Sequence, residues 1–175
     1  MSVLTEKEDV KAVLRYAKSL PFTDAARVVL AGCSQGGFVS ALTAAELGLE
    51  SITALVLFYP ALCIPDDARK GQMLAAHFDP QNIPDLIDCG PMKLGHCYPE
   101  VVMDMDAFQE IRKYIGPVLL IHGTADNVVD LCYSERAATA YQNARLVIIE
   151  GGAHGFVGQH DEEAIQAFVS FLRDC

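Results

Sequence analysis

The chain has 175 residues, and 13 Lys and Arg against 23 Asp and Glu leave a net charge of −10. With 51% apolar and 21% charged residues the composition is that of a globular domain long enough to bury a core of its own. The acidity argues against nucleic acid and against an anionic membrane surface as partners, because both require a surplus of cations on one face.

Thr5 and Glu8 form the pattern of a capping box, and Val10, Val13, Leu14 and Ala17 then recur at helical spacing, which predicts a helix over 5–19 that stops before Pro21. Residues 27–32 (RVVLAG) are a short β-branched run and predict a buried strand. An Ala-rich helix over 36–47 follows, closed by Gly48, and 52–59 (ITALVLFY) reads as a second buried strand. The segment 63–113 breaks this rhythm with several prolines and short polar runs; it is too long for a plain connection and predicts an inserted cap. Regular structure returns with a strand over 117–122, a helix over 131–142, a strand over 145–150 and a helix over 161–173.

Strands alternating with helices imply an α/β fold: a single domain over 1–175, built as a three-layer α/β/α sandwich with a mainly parallel sheet. No stretch reads as a signal peptide, and the longest apolar run, 52–65, contains Pro60 and is too short to span a bilayer. Six cysteines form no C-x-x-C pair and no zinc spacing, so no metal site is expected and a cytoplasmic location with reduced thiols is.

Ligands of such sheets bind beyond the carboxyl ends of the strands, so the residues just after each strand are the ones that matter. After the first strand comes G-x-S-x-G in GCSQGG (32–37), between a predicted strand and a predicted helix. A serine on that sharp turn presents its Oγ above the sheet, and the backbone amide of Gln35, at the helix N-terminus, points toward a nascent oxyanion. Asp126 follows the third strand and His154 the fourth, so the chain carries Ser34, Asp126 and His154 in the order of a nucleophile, an acid and a base. In that arrangement Ser34 attacks an acyl carbonyl, His154 moves the proton, and Asp126 fixes the imidazole tautomer; no cofactor is needed. Asp130 follows the strand less closely than Asp126. His122 is assigned a structural role, and His77, His96 and His160 a place on the surface. Cys33 adjoins the nucleophile with its side chain expected to point away from it.

GCSQGG (32–37), HGTADNVV (122–129), EGGAHGF (150–156) and the insert together resemble the α/β-hydrolase superfamily, and within it the cinnamoyl/feruloyl esterase-like branch. The resemblance spans essentially the whole chain. It implies a serine hydrolase of small carboxylic esters, hydroxycinnamate esters among them, with the insert capping the acyl pocket. It also implies that Asp67 and Tyr98 contact the hydroxyl of a phenolic ring. The family sheet is larger, and this chain supplies its C-terminal part. The segment that carries a second oxyanion amide would precede Met1, and loss of one such donor costs about 100- to 1,000-fold in rate. The strand over 27–32, uncharged after Arg27, would then stand at a sheet edge, where it invites a homodimer or aggregation. Two other readings stand beside the esterase: a prolyl-oligopeptidase-like serine peptidase, and a truncated hydrolase that is weak or inactive.

Overall fold

The computed structural model describes residues 1–90 and 92–175. In chain order it contains α1 (Val3–Ser19), β1 (Val29–Cys33), α2 (Ser34–Leu47), β2 (Ala54–Phe58), α3 (Ile64–Arg69), β3 (Gln72–Met73), β4 (Ala76–His77), β5 (Leu86–Asp88) and β6 (Lys93–Gly95). Then follow α4 (Cys97–Met103), α5 (Ala107–Ile111), β7 (Val118–Gly123), α6 (Leu131–Ala140), β8 (Ala144–Ile149) and α7 (Gln159–Asp174).

The main sheet has four strands in the order β1-β2-β7-β8, all parallel. Because side chains alternate along a strand, each central strand serves two layers at once. Leu55 and Leu57 of β2 and Val118 and Leu120 of β7 pack with α1, α2 and α6. Ala54, Val56, Leu119 and Ile121 face the other way, onto Ala164 and Phe171 of α7. Both faces of these strands are buried, which is why their sequences read as unbroken apolar runs. The outcome is the three-layer α/β/α sandwich. β1, expected as a buried strand, is instead an edge strand with Ala31 and Cys33 exposed, because only β2 pairs with it; it borders a groove of about 740 Å³ lined by Val10, Val13, Leu14 and Ala17 of α1 and by Val39 of α2.

The first helix begins earlier than its sequence suggests. Ser2, not Thr5, is the N-cap: the Ser2 hydroxyl accepts from the Thr5 amide, and Thr5 Oγ1 accepts from the Ser2 amide at 2.9 Å. Starting there buries Val3 completely, an apolar gain that the later start would forgo. Glu8 pairs instead with Lys11 at 2.5 Å. Downstream, Gly48 ends α2 with φ 71° and its amide on the Ala44 carbonyl, as a left-handed cap residue should.

Between β2 and β7 lie α3, two antiparallel hairpins (β3–β4 and β5–β6), α4 and α5. This inserted segment shares the core of the sheet layer: Met73, Ile87, Leu94, Tyr98 and Val102 belong to the same apolar cluster as Leu55 and Phe38. It is thus anchored from below and overhangs the carboxyl ends of β1 and β2. No helix among the described residues is long and apolar enough to cross a membrane, and all six cysteines are unpaired.

Candidate active site

Ser34 sits where β1 turns into α2, with φ 50°, a left-handed conformation that a side chain adopts only when its surroundings impose it. Two glycines make the turn fit. A Cβ on Gly32 would stand 2.5 Å from Ser40 Oγ, which the turn has no room for, and one on Gly37 would stand 3.0 Å from Pro60 Cα, a tight contact that would make the loop after β2 give way. The Ser34 carbonyl accepts from the Ala61 amide at 2.9 Å, tying the elbow to the loop after β2. Gln35 follows in the first turn of α2, where amides have no acceptor within the helix, so its N–H is available to an oxyanion. Its side chain is engaged elsewhere, donating to Glu6 Oε1 of α1 at 2.6 Å.

Asp126 lies in the loop after β7 and is almost fully buried, with 1% of its side chain exposed. Its Oδ1 accepts from the amides of Val128 and Val129, both at 2.9 Å, which closes the loop into an Asx turn. Burial works to raise this carboxyl. The Val129 amide, the His154 ring and the Val128 amide outweigh it, so the group stays below the usual carboxylate range.

His154 follows β8. Its Nδ1 is 2.8 Å from Asp126 Oδ2 and its Nε2 is 3.0 Å from Ser34 Oγ. A carboxylate can only accept, so Nδ1 carries the proton and Nε2 is left to accept from the serine hydroxyl. Chain neighbours hold the two loops together: Ala125 N donates to the Gly152 carbonyl at 2.9 Å, Thr124 N to the Ile149 carbonyl at 3.0 Å, and Gly151 N to Thr124 Oγ1 at 2.8 Å. The three side chains named from the sequence thus form one hydrogen-bonded line, although they are up to 120 positions apart in the chain.

A cavity of about 510 Å³ opens beside Ser34, between the elbow and the inserted segment. Ile64, Met73, Leu74 and Leu94 give it apolar walls, and Asp67 and Tyr98 both line it. The Tyr98 hydroxyl is buried without a partner among the described residues. Burial pushes that hydroxyl upward, with the Glu6 carboxylate adding to the effect, so it stays protonated and able to donate. The cavity also borders Asn127, Val128 and Val129 of the Asp126 loop.

Of the remaining positions, Cys33 departs from its expected place. Cys33 does not turn away from the site: it lines the cavity, and its thiol neighbours the Tyr59 hydroxyl. β1 is an edge strand, so Cys33 at its end stays exposed instead of being covered by a neighbouring strand. His122 lies within β7 and is fully buried. His77 and His96 are exposed, His160 is half-buried, and Asp130 caps α6 by accepting from the Cys132 amide at 2.8 Å.

Tyr59 escaped the sequence reading. It follows β2 with φ 37°, and its ring packs against His154 at 4.7 Å between centroids and against Phe156 at 5.1 Å. Burial, then the Cys33 thiol, pushes its hydroxyl up to about 12. The rule that located the other three residues, to look just past each strand, passes over it because the apolar run extends through 59, one residue beyond the end of β2.

A parallel sheet flanked on both faces, with a serine elbow after one strand and an acid and a histidine after two later ones, is the architecture of an α/β-hydrolase. The solved structure of Est1E from Butyrivibrio proteoclasticus superimposes on 100% of this chain and 72% of its own, at 32% identity and a TM-score of 0.90. A structure of Est1E with ferulic acid bound matches 99% of this chain and 69% of its own, at 33% identity and the same TM-score of 0.90. A monoacylglycerol lipase from Paleococcus ferrophilus shares the fold at 18% identity, with a TM-score of 0.69 over 98% of this chain and 75% of its own. The chain belongs to the uncharacterised protein family UPF0227, which it matches over residues 1–173. Among curated sequences, polyketide synthase ThaQ of Burkholderia thailandensis is 31% identical over 75 residues, which are 43% of this chain and only 4% of the synthase.

Proposed function

We propose that this carboxylic ester hydrolase is a serine esterase that works through an acyl-enzyme on Ser34. The observation that carries the reading is the continuous line Ser34 Oγ–His154 Nε2 at 3.0 Å and His154 Nδ1–Asp126 Oδ2 at 2.8 Å, beside a cavity with apolar walls. Ser34 Oγ bonds to the acyl carbon as its proton passes to His154 Nε2. The carbonyl electrons collect on oxygen, facing the Gln35 amide. Collapse breaks the bond to the alcohol oxygen, which leaves with the proton from His154. Water then repeats the sequence, releasing the acid and restoring the Ser34 hydroxyl. Asp126, anionic and anchored by two backbone amides, stabilises the imidazolium formed at each step.

The acyl group we assign is a hydroxycinnamate or a similar flat, hydroxylated aromatic acid. Three features support this: the ferulic acid found on Est1E, the mixed apolar walls, and two polar side chains, Asp67 and Tyr98, that line the same cavity. A buried hydroxyl without a partner costs about 1–3 kcal/mol, a cost that a ligand oxygen would relieve. The test is hydrolysis of p-nitrophenyl acetate and methyl ferulate by the purified chain and by Ser34→Ala. Turnover that depends on Ser34, with methyl ferulate preferred to methyl cinnamate, is the expected result. Activity that survives Ser34→Ala above background overturns the mechanism, and equal rates on the two aromatic esters overturn the ring-hydroxyl assignment.

A further inference from the structure

Asp126 is met by more than the triad requires. Beyond the two backbone amides on Oδ1 and His154 on Oδ2, the Nε2 of a second histidine, His122, lies 3.2 Å from the same Oδ2. His122 projects from β7 four positions before Asp126 and has no solvent exposure. Its Nε2 is also 3.0 Å from the Val129 carbonyl, and its Nδ1 is 2.7 Å from Ser134 Oγ of α6, which is equally buried.

These contacts settle where the protons are. Nε2 faces a carbonyl and a carboxylate, neither of which can donate, so Nε2 carries hydrogen. Nδ1 then accepts from the Ser134 hydroxyl. Burial works against a charge on this ring and outweighs the Val129 carbonyl and the Asp126 carboxylate, so the group lies below the ordinary histidine range and is neutral near pH 7. Neutrality matters. An imidazolium at this place would cancel the Asp126 charge that stabilises His154, whereas a neutral N–H dipole leaves it intact.

We propose that His122 is a positioning residue for the acid of the relay: its Nε2–H, oriented by Ser134 on the far side of the ring, donates to the Val129 carbonyl while standing 3.2 Å from Asp126 Oδ2, and so holds the loop whose amides keep the Asp126 carboxylate in the rotamer that meets His154 Nδ1. The inference rests on the Ser34–His154–Asp126 reading. It explains why a fully buried imidazole is present within β7, where a leucine would pack at lower cost. Ser134, Val129 and His122 form the outer support of Asp126, and each of these three comes from a different part of the β7–α6 unit.

The test compares three variants on p-nitrophenyl acetate. His122→Phe fills the space without a donor and is expected to lower kcat by about 10- to 100-fold with KM changed less than about twofold, as a misplaced acid does. His122→Gln, whose amide can reach the same oxygen, is expected to recover at least about tenfold of that loss. A purely structural histidine would lose fold and activity together, with no such recovery. Ser134→Ala, a small change in a buried site, is expected to lower kcat about 3- to 10-fold at unchanged KM, and it decides the matter where His122→Phe does not fold. Wild-type kcat in folded His122→Phe or in Ser134→Ala overturns the inference, as does a Gln variant no better than Phe. Ser34→Ala run alongside separates the two readings: if it keeps activity the relay itself is wrong, and if it is inactive while the His122 variants are normal, only the role of His122 falls.

Discussion

Gly123→Ala should separate the two loops that hold the acid and the base. Gly123 is the last residue of β7 and pairs with Ile149 at the end of β8. A Cβ there would stand 2.8 Å from Gly152 Cα and nearer still to the Gly152 carbonyl, both backbone atoms that cannot swing aside. Ordinary contact begins at 3.4 Å, so the loop that carries His154 must retreat, by roughly 1 Å once the carbonyl is cleared. That retreat strains the bond from Ala125 N to the Gly152 carbonyl, now 2.9 Å, and with it the 2.8 Å contact between His154 and Asp126. Overpacking of this kind costs about 1–3 kcal/mol, and a catalytic group misplaced by about 1 Å costs about 100-fold in rate. The expected result is a folded variant with a melting temperature lower by on the order of 5 °C and kcat for p-nitrophenyl acetate lower by about 100-fold, KM being little altered. Circular dichroism melting and steady-state kinetics on the same preparation measure both. A folded Gly123→Ala with wild-type kcat would refute the reasoning, because it would mean that the contact between the loops does not set the relay geometry.

The two glycines of G-x-S-x-G should behave differently. Gly32→Ala would place a methyl 2.7 Å from the Gly36 carbonyl carbon and should destabilise by about 1–3 kcal/mol, whereas a methyl on Gly36 meets nothing within 4 Å and should leave the melting temperature unchanged or higher. Glu46 ties α2 to Lys7 and Lys11 of α1, and the Lys11 and then the Lys7 ammonium hold its carboxyl down at about 2. A depressed folded pKa adds stability above the ordinary carboxylate range that is lost as pH falls through about 2, so Glu46→Gln should melt lower at pH 7, with the gap shrinking as pH approaches 2. The Glu46 carboxylate is largely exposed, so the gap should be small, and a gap that stays undiminished near pH 2 would contradict the assignment. The unpaired edge of β1 is expected to pair with that of a second copy at tens of micromolar; light scattering should then report a dimer that Ala31→Lys, a charge on the exposed edge, converts to monomer. A monodisperse wild-type monomer would rule this out.

Much of the site was legible in the sequence because the chemistry is tied to local rules. A parallel strand buried on both faces must be a continuous apolar run, and the residue after it must stand at the ligand-binding edge of the sheet. PVLLIH meets that description, while RVVLAG and RLVIIE form edge strands that are only partly buried; the three apolar runs still locate Ser34, Asp126 and His154 without any knowledge of the distances between them. The fold class follows from the same alternation of strand and helix. Local pattern was less reliable where two local solutions competed: both Ser2 and Thr5 can cap a helix, and only the burial of Val3 against the core chooses Ser2.

The rest was decided in three dimensions. Cys33 borders the cavity only because the inserted segment lies over the end of β1, and the left-handed torsion at Ser34 depends on the packing of Gly32 and Gly37 against α2 and Pro60. The place of His122 depends on α6 bringing Ser134 under β7, a contact between segments whose spacing carries no motif. The ring of Tyr59 meets His154 only because β2 lies between β1 and β7 in the sheet, an order that no local run of residues encodes. Residue type and spacing determined which groups this protein has for chemistry. Packing, which joins positions remote in the chain and leaves each buried polar atom a limited choice of partners, decided which of them meet.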